Sequence, residues 1–542
     1  MSKFRIASVL ISVLIVLSIL VGCSGATTTT TPAATTKAAG TTASAQPTTT
    51  KAKEVMQISI ALWSMEKFDD ELSKIVEERN KVKLKTINMT WETYLEQTKL
   101  FAASGDMPDC IGSYTTNDIS CFYSWINQGI IRTIPETMIA KYSNVKKMYD
   151  NYPHAQAIKQ LKGAYYYIPR PNSVTNMYQG GIQYLYYRKD WLKNVGITKV
   201  PETIDEFYAM LKAFKNNDPD KNGKADTSGL VVEHTPGIGG FFGAWGVYPA
   251  SWQYENGQWI PGYISKNNID ALKFLQKLYK EGLLDQEYTK NTWKESLQKF
   301  STGAFGVCER NADAVWARNV VNDNFGAANP GITNPLDAVG ILPPFKKDAA
   351  SKPGWLAADN NCGTEISAKV SDEKLDRIME LIDWMLTDEA KSYYRYGIEG
   401  KTYKKTNGKI EMLNDPATGK PFNLSTVYPS RRIFVFSDWD QDFNAQIPGN
   451  PAIPDNIKTF SNEATKLINA AVLPEKLEVK LLSTPAKDSL MVNFQDEFNK
   501  MILSDGDIEK LFNDFVNAAL KSGVQQAITE VNAAATKAGI KP

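Results

Sequence analysis

The stretch 184–230, YLYYRKDWLKNVGITKVPETIDEFYAMLKAFKNNDPDKNGKADTSGL, decides how the rest of the chain is read. Its first residues complete an aromatic and β-branched run from Ile182 to Tyr187, the composition of a strand. Thr203 and Glu206 stand at capping-box spacing, so a helix starts there. Phe207, Met210, Leu211 and Phe214 follow at i, i+3, i+4 and i+7 and give that helix one apolar face. It runs into Asp218-Pro219-Asp220-Lys221-Asn222-Gly223-Lys224-Ala225-Asp226. Strand, helix and acidic loop in that order predict a unit of α/β architecture.

The acidic loop has a metal-binding rationale. Asp218, Asp220, Asn222 and Asp226 fall at positions one, three, five and nine of a calcium loop, Gly223 supplies the sharp turn at six, and the Lys224 carbonyl serves at seven. Position twelve is Gly229 rather than a bidentate glutamate, and only one flanking helix is evident. The expectation is a structural Ca²⁺ on an EF-hand-like loop grafted to another scaffold; the alternative is an Asx-rich turn with no ion.

Working outward, the N-terminus reads as a secretion signal. Lys3 and Arg5 precede an apolar run from Ile6 to Leu20, short for a spanning helix. The run ends Leu20-Val21-Gly22-Cys23, which resembles a bacterial lipobox, so residues 1–22 are predicted to be removed and Cys23 lipidated. Acyl chains at roughly 0.8 kcal/mol per buried methylene hold such a protein at a membrane face. Residues 26–53, rich in Thr, Ala and Pro with a few Lys, contain no large apolar residue and read as a tether. A long tether suits an extracellular address on a one-membrane cell, with a periplasmic one as the alternative. Four more cysteines, Cys110, Cys121, Cys308 and Cys362, show no CxxC spacing; disulfides and buried thiols both stay open.

The 542 residues are 43% hydrophobic with a formal net charge of +1, enough for one large or two medium cores. That balance gives no electrostatic case for nucleic acid. Only two histidines, His154 and His234, argue against a histidine-based metal or triad enzyme. Val55 to Trp63, a helix near 66–80, Val82 to Asn88, a helix near 91–103 and Cys110 to Gly112 predict β-α-β-α-β, an open parallel sheet whose ligands sit beyond the strands' carboxyl ends. Crossings between lobes are placed near Pro169 to Gly181 and near Leu342-Pro343-Pro344.

Several segments, in this order and spacing, carry a resemblance: 102–109 (AASGDMPD), 187–192 (YRKDWL), 200–207 (VPETIDEF), 218–226, 278–285 (LYKEGLLD) and 386–390 (LTDEA). They resemble the family 1 extracellular solute-binding proteins of ABC importers, the carbohydrate-type lipoproteins. The resemblance implies a periplasmic-binding-protein-like α/β fold, two discontinuous lobes joined by a hinge with a ligand cleft between them. The implied division is 55–175 plus 340–400 for the first lobe and 176–339 plus 401–542 for the second. It implies an oligosaccharide or sugar derivative as ligand, hinge closure, delivery to an ABC permease, no catalysis and a monomer.

By motif position the resemblance puts Glu309, Arg310 and Asn311, with Asp313 and Trp316 following, at the ligand from one lobe. Ser113 and Tyr114, with Asn117 and Asp118, come from the other. Trp63, Trp245 and Trp355 fall at loop positions where rings stack on sugar C–H faces while planar polar groups take the hydroxyls. A core position for each Trp, and a structural ion pair for Arg310, are the competing readings. An Arg310 open to the cleft favours acidic sugars, since guanidinium matches a carboxylate bidentately. Against the whole stand an exported glycoside-active enzyme with two carboxylates, a binder of a non-sugar solute such as a peptide, and an adhesive lipoprotein.

Overall fold

The computed structural model describes residues 53–63, 67–90, 93–113, 118–170, 183–233, 241–354, 362–437, 453–471 and 476–542. The leader, Cys23 and the tether lie outside the described residues.

Two sheets carry the architecture from Glu54 to Pro542. The first contains β1 (Met56–Trp63), β2 (Val82–Met89), β3 (Cys110–Ser113), β4 (Tyr167–Pro169) and a late strand, β11 (Gly363–Ile366), in the order β2-β1-β3-β11-β4. β1 runs parallel to β2 and β3, and β11 is antiparallel to both β3 and β4. β2 alternates Val82 and Leu84 inward with Lys83 and Lys85 outward, as a strand with one covered face should. The second sheet has the order β10-β5-β9-β6, from β5 (Gln183–Arg188), β6 (Ser228–Val231), β9 (Phe305–Asn311) and β10 (Val339–Ile341). β9 is antiparallel to β5 and parallel to β6. β7 (Trp252–Glu255) and β8 (Gln258–Pro261) make a separate hairpin.

Each sheet has its own core. The first gathers Ile58, Leu62, Phe122, Ile168, Ile366 and Ile378; the second gathers Tyr186, Trp191, Phe207, Leu272, Val307 and Phe498. The helix Ile204–Asn216 shows how the second is built. Thr203 Oγ1 accepts the Glu206 amide at 3.2 Å, and the Glu206 carboxylate accepts the Thr203 amide at 3.1 Å. Phe207, Met210, Leu211 and Phe214 are all buried on the expected face.

Core membership corrects the expected division. Leu342 and Phe345 pack in the second core, because β10 pairs with β5, so 340–345 do not open the return to the first lobe. Ile433, Phe434, Val435 and Phe436 pack in the first core, so the second lobe does not resume at 401. The chain leaves the first core after Ile168, returns by Cys362, and rejoins the second at Ile453. Leu481 touches the first core again, and its carbonyl accepts the Tyr123 hydroxyl at 2.8 Å. Beside it Trp259, Val479, Leu482 and Val531 form a small cluster against Leu161. The four described cysteines stand as thiols, with Cys110, Cys308 and Cys362 buried.

Gly306, in β9, marks the tightest contact between sheet and helices. A Cβ there would lie 2.2 Å from the Phe214 ring and 2.8 Å from Trp191. Those two rings meet edge-to-face at 5.5 Å and are fully buried. Gly306→Ala is therefore expected to destabilise the protein by about 1–3 kcal/mol, as overpacking does, read from the midpoint of urea unfolding; an unchanged midpoint would remove the contact from the account.

Candidate functional site

β9 changes character along its length. Gly306, Val307 and Cys308 are small and buried, whereas Glu309, Arg310 and Asn311 bring polar groups to its carboxyl end. Because β6 runs parallel beside it, Glu233, two residues past β6, comes to the same edge. Arg310 Nη1 donates to Glu233 Oε1 at 2.6 Å. The guanidinium carbon lies 5.0 Å from the Trp316 ring centre and 5.5 Å from that of Trp293, within cation–π range of both. The two indoles are perpendicular, with centres 5.4 Å apart.

Helix caps fix both rings. Asp313 accepts the amides of Val315 at 3.1 Å and Trp316 at 3.0 Å, starting the short helix Ala314–Arg318. Thr292 and Glu295 form a capping box that places Trp293 at the first position of the helix Trp293–Ser301. Trp293 is 36% exposed, a large apolar ring open to solvent at the edge of a part-buried ion pair.

Burial dominates the electrostatics. Glu309 is 1% exposed, and its Oε2 has no hydrogen-bond partner among the described residues. Burial, reinforced by Glu233 and opposed by Arg310, pushes its carboxyl well above the usual range. Burial also raises the Asp313 carboxyl to about 7, against the lowering pull of the amides of Trp316 and Val315.

The second sheet thus brings Glu309, Arg310, Asn311 and Trp316 to one edge, together with Glu233 and Trp293, which the sequence reading did not single out. The signal for Trp293 was present: an aromatic first residue behind a Thr-x-x-Glu cap, on the helix that leads into β9. Glu309 is enclosed rather than open, and Arg310 takes the structural ion pair of the competing reading. Asn311 offers its carbonyl to the Tyr186 hydroxyl at 2.7 Å. Trp245 ends a 3₁₀ turn, Phe242–Trp245, and packs on Phe274 with ring centres 5.7 Å apart, against the second core.

In the first sheet, Trp63 and Ser113 are the last residues of parallel strands, so their backbones occupy the carboxyl edge. Their side chains lie outside the described residues, as do Tyr114, Asn117 and Trp355. Asp118 caps the helix Ile119–Asn127 and pairs with Lys99 at 2.9 Å. A pocket of about 450 Å³ opens elsewhere in the second lobe, between Val200, Ile341, Pro343, Pro344 and Leu467, with no aromatic ring in its lining.

The acidic loop is folded as a tight turn, with Asp218, Lys221 and Gly223 at φ 45°, 58° and 78°. Asp218 accepts the amides of Asn222 at 3.1 Å and Gly223 at 3.0 Å. The Asn222 side-chain amide donates to Asp220 at 2.8 Å and to Asp226 at 3.2 Å. The Asp220 carboxyl is raised, first by burial and then by its carboxylate neighbours. The donor set suits an oxygen-seeking cation. Among the described residues no group of three or more Asp, Glu, His or Cys stands as a metal cage; the Asn222 NH₂ group bridges Asp220 and Asp226, and its oxygen accepts the Lys224 amide at 2.7 Å. A Cβ at Gly229 would lie 2.7 Å from the Leu283 carbonyl, so no side chain fits at position twelve, and the Thr227 hydroxyl is committed to the Phe214 carbonyl at 2.8 Å.

Residues 63–392 match the family model described as bacterial extracellular solute-binding protein. Lipoprotein LipO of Bacillus subtilis (strain 168) is 27% identical over 515 residues, 89% of this chain and 92% of LipO. The structure is similar to that of the alginate-binding protein AlgQ2 without calcium ion, with TM-score 0.63 and 18% identity over 88% of this chain and 97% of AlgQ2. It is also similar to the S. pneumoniae ABC-transporter substrate-binding protein FusA in complex with kestose, with TM-score 0.64 and 17% identity over 89% of this chain and 99% of FusA. At these identities the structures show the fold: two discontinuous α/β lobes of the solute-binding type.

Asp313 gives this edge a pH signature. An unfolded Asp ionises near 4, whereas the folded one keeps its proton up to about 7. The native state therefore binds the extra proton between these values, and stability from this group falls as pH rises through that window. Asp313→Asn stays neutral and keeps an acceptor for both amides. Its unfolding midpoint should exceed that of the parent protein at pH 7.5 and converge with it near pH 4; equal midpoints at both values would refute the buried-acid assignment.

Proposed function

The chain belongs to the bacterial extracellular solute-binding protein family, and from that premise we propose that it captures an oligosaccharide between its lobes and delivers it to the membrane subunits of an ABC importer. The observation that carries this is the edge of β9: an exposed indole, Trp293, beside a second, Trp316, with a hydrogen-bonding carboxylate, Glu233, alongside. Flat rings cover sugar C–H faces, and a carboxylate accepts hydroxyl protons. Ligand contacts to both lobes bias an open–closed equilibrium in proportion to their differential affinity. The FusA structure holding kestose supports the ligand class.

No reaction is assigned. Glu309 is enclosed and Asp313 caps a helix, so neither is placed as the open carboxylate pair a glycosidase needs. Cys23 is the proposed lipid anchor and residues 26–53 the tether, which gives an extracellular address; the match to a lipoprotein supports this. Among the described residues no helix is long and apolar enough to cross a membrane. A monomer is expected.

Titration of intrinsic tryptophan fluorescence with oligosaccharide and peptide panels tests the reading. A saturable change with at least one sugar, weakened about tenfold or more by Trp293→Ala, is expected. Saturation by peptides alone would replace the carbohydrate reading.

The acidic loop is proposed as a structural Ca²⁺ site using Asp218, Asp220, Asn222, Asp226 and the Lys224 carbonyl. An ion there pins the end of the helix Ile204–Asn216, whose last carbonyls carry partial negative charge. Calcium at a hundred times its Kd should stabilise the protein by about 2.7 kcal/mol, seen as a rise in Tm that chelation reverses. Asp220→Asn should abolish the rise; a Tm indifferent to calcium and chelator rejects the site.

A further inference from the structure

We propose that the site at the end of β9 takes an uncharged oligosaccharide and turns away uronates, with Glu233 as the residue that sets this choice. The inference rests on the carbohydrate reading above and names its ligand class. The fold does not decide the matter, since similar structures belong to a protein named for alginate, a polyuronate, and to one holding the neutral sugar kestose.

The charges do decide it. Recognition of a uronate asks for a guanidinium fork open to the ligand or an ammonium held beside it. Arg310 is 6% exposed, its Nη1 is bonded to Glu233, and both indoles lie against its guanidinium. The remaining neighbour on that strand, Glu309, adds no positive charge. Lys294 holds its ammonium 5.4 Å from the Trp293 ring centre, but it is an exposed side chain whose charge water and salt screen. At the edge of the first sheet, Arg170 is fully buried, with Nη1 3.4 Å from the Val435 carbonyl.

The carboxylate, by contrast, is partly exposed. The Glu233 side chain is 16% exposed while that of Arg310 is 8%, so of the pair the anion is the more open. A sugar hydroxyl donates to Glu233; a uronate carboxylate is repelled by it, which discriminates by an unfavourable contact rather than by an added favourable one.

The test is calorimetric titration of the full chain with length-matched neutral and uronate oligosaccharides, at low and high salt, for the parent protein and Glu233→Gln. The Gln amide oxygen keeps an acceptor for Arg310 while removing the charge. At least one neutral series should bind, its uronate counterpart should bind about 30-fold or more weakly, and Glu233→Gln should narrow the gap about tenfold. Should the variant fail to fold, the parent protein's own preference decides. Uronates binding as tightly as neutral sugars, or losing affinity as salt rises, would overturn the proposal. Binding of neither series, with peptides bound instead, brings down the carbohydrate reading itself and this inference with it.

Discussion

A strand with a neighbour on each side has both its edges committed, and β9 is held this way by β5 and β6. That constraint leaves its direction and register no freedom: Arg310 must stand opposite Tyr184 and Val307 opposite Leu230. A slip of one residue would turn Arg310 toward the side now occupied by Glu309 and carry Gly306 away from Phe214 and Trp191. The apolar half of β9 and its charged half are thus one device, in which the packing of small residues against two rings fixes where the ion pair forms.

The ion pair in turn explains why two indoles stay at an edge. Burying a guanidinium is unfavourable unless its charge is matched, and Glu233 matches it at 2.6 Å. Once paired, the cation presents a flat face to each ring. Trp316 is set by the Asp313 cap and Trp293 by the Thr292–Glu295 box, so both orientations come from helix termini rather than from loops. A surface assembled in this way is rigid before any ligand arrives, which limits the ordering cost of binding.

Much of the fold was legible because its signals are local. The Thr203 cap, the Phe207 to Phe214 face and the alternation of β2 each involve residues within a few positions of one another. The division between lobes was less so, since it depends on pairings across long separations: β10 with β5, and Phe436 against the sheet that holds β11. The site divides along the same line. Arg310 and Trp316 come with the resemblance, by motif position at the end of a strand, but Glu233 enters through the parallel alignment of β6 and β9, and no spacing along the chain encodes that alignment. The acidic loop shows the opposite case: its spacing is fully readable, whereas the hydrogen bonds of Asn222 to Asp220, Asp226 and the Lys224 amide are set by the folded turn.

The position of β11 has a consequence for how the molecule comes into being. It is the fourth of five strands across the first sheet, between β3 and β4, yet it lies at residues 363–366. Among the described residues every strand of the second sheet, up to β10 at Ile341, precedes it along the chain. In synthesis from the N-terminus, the sheet begun second is therefore the first to have all its strands, while β3 and β4 wait with a vacancy between them. Until the ribosome has passed residue 366, that half of the protein exposes two strand edges able to pair with any extended segment nearby.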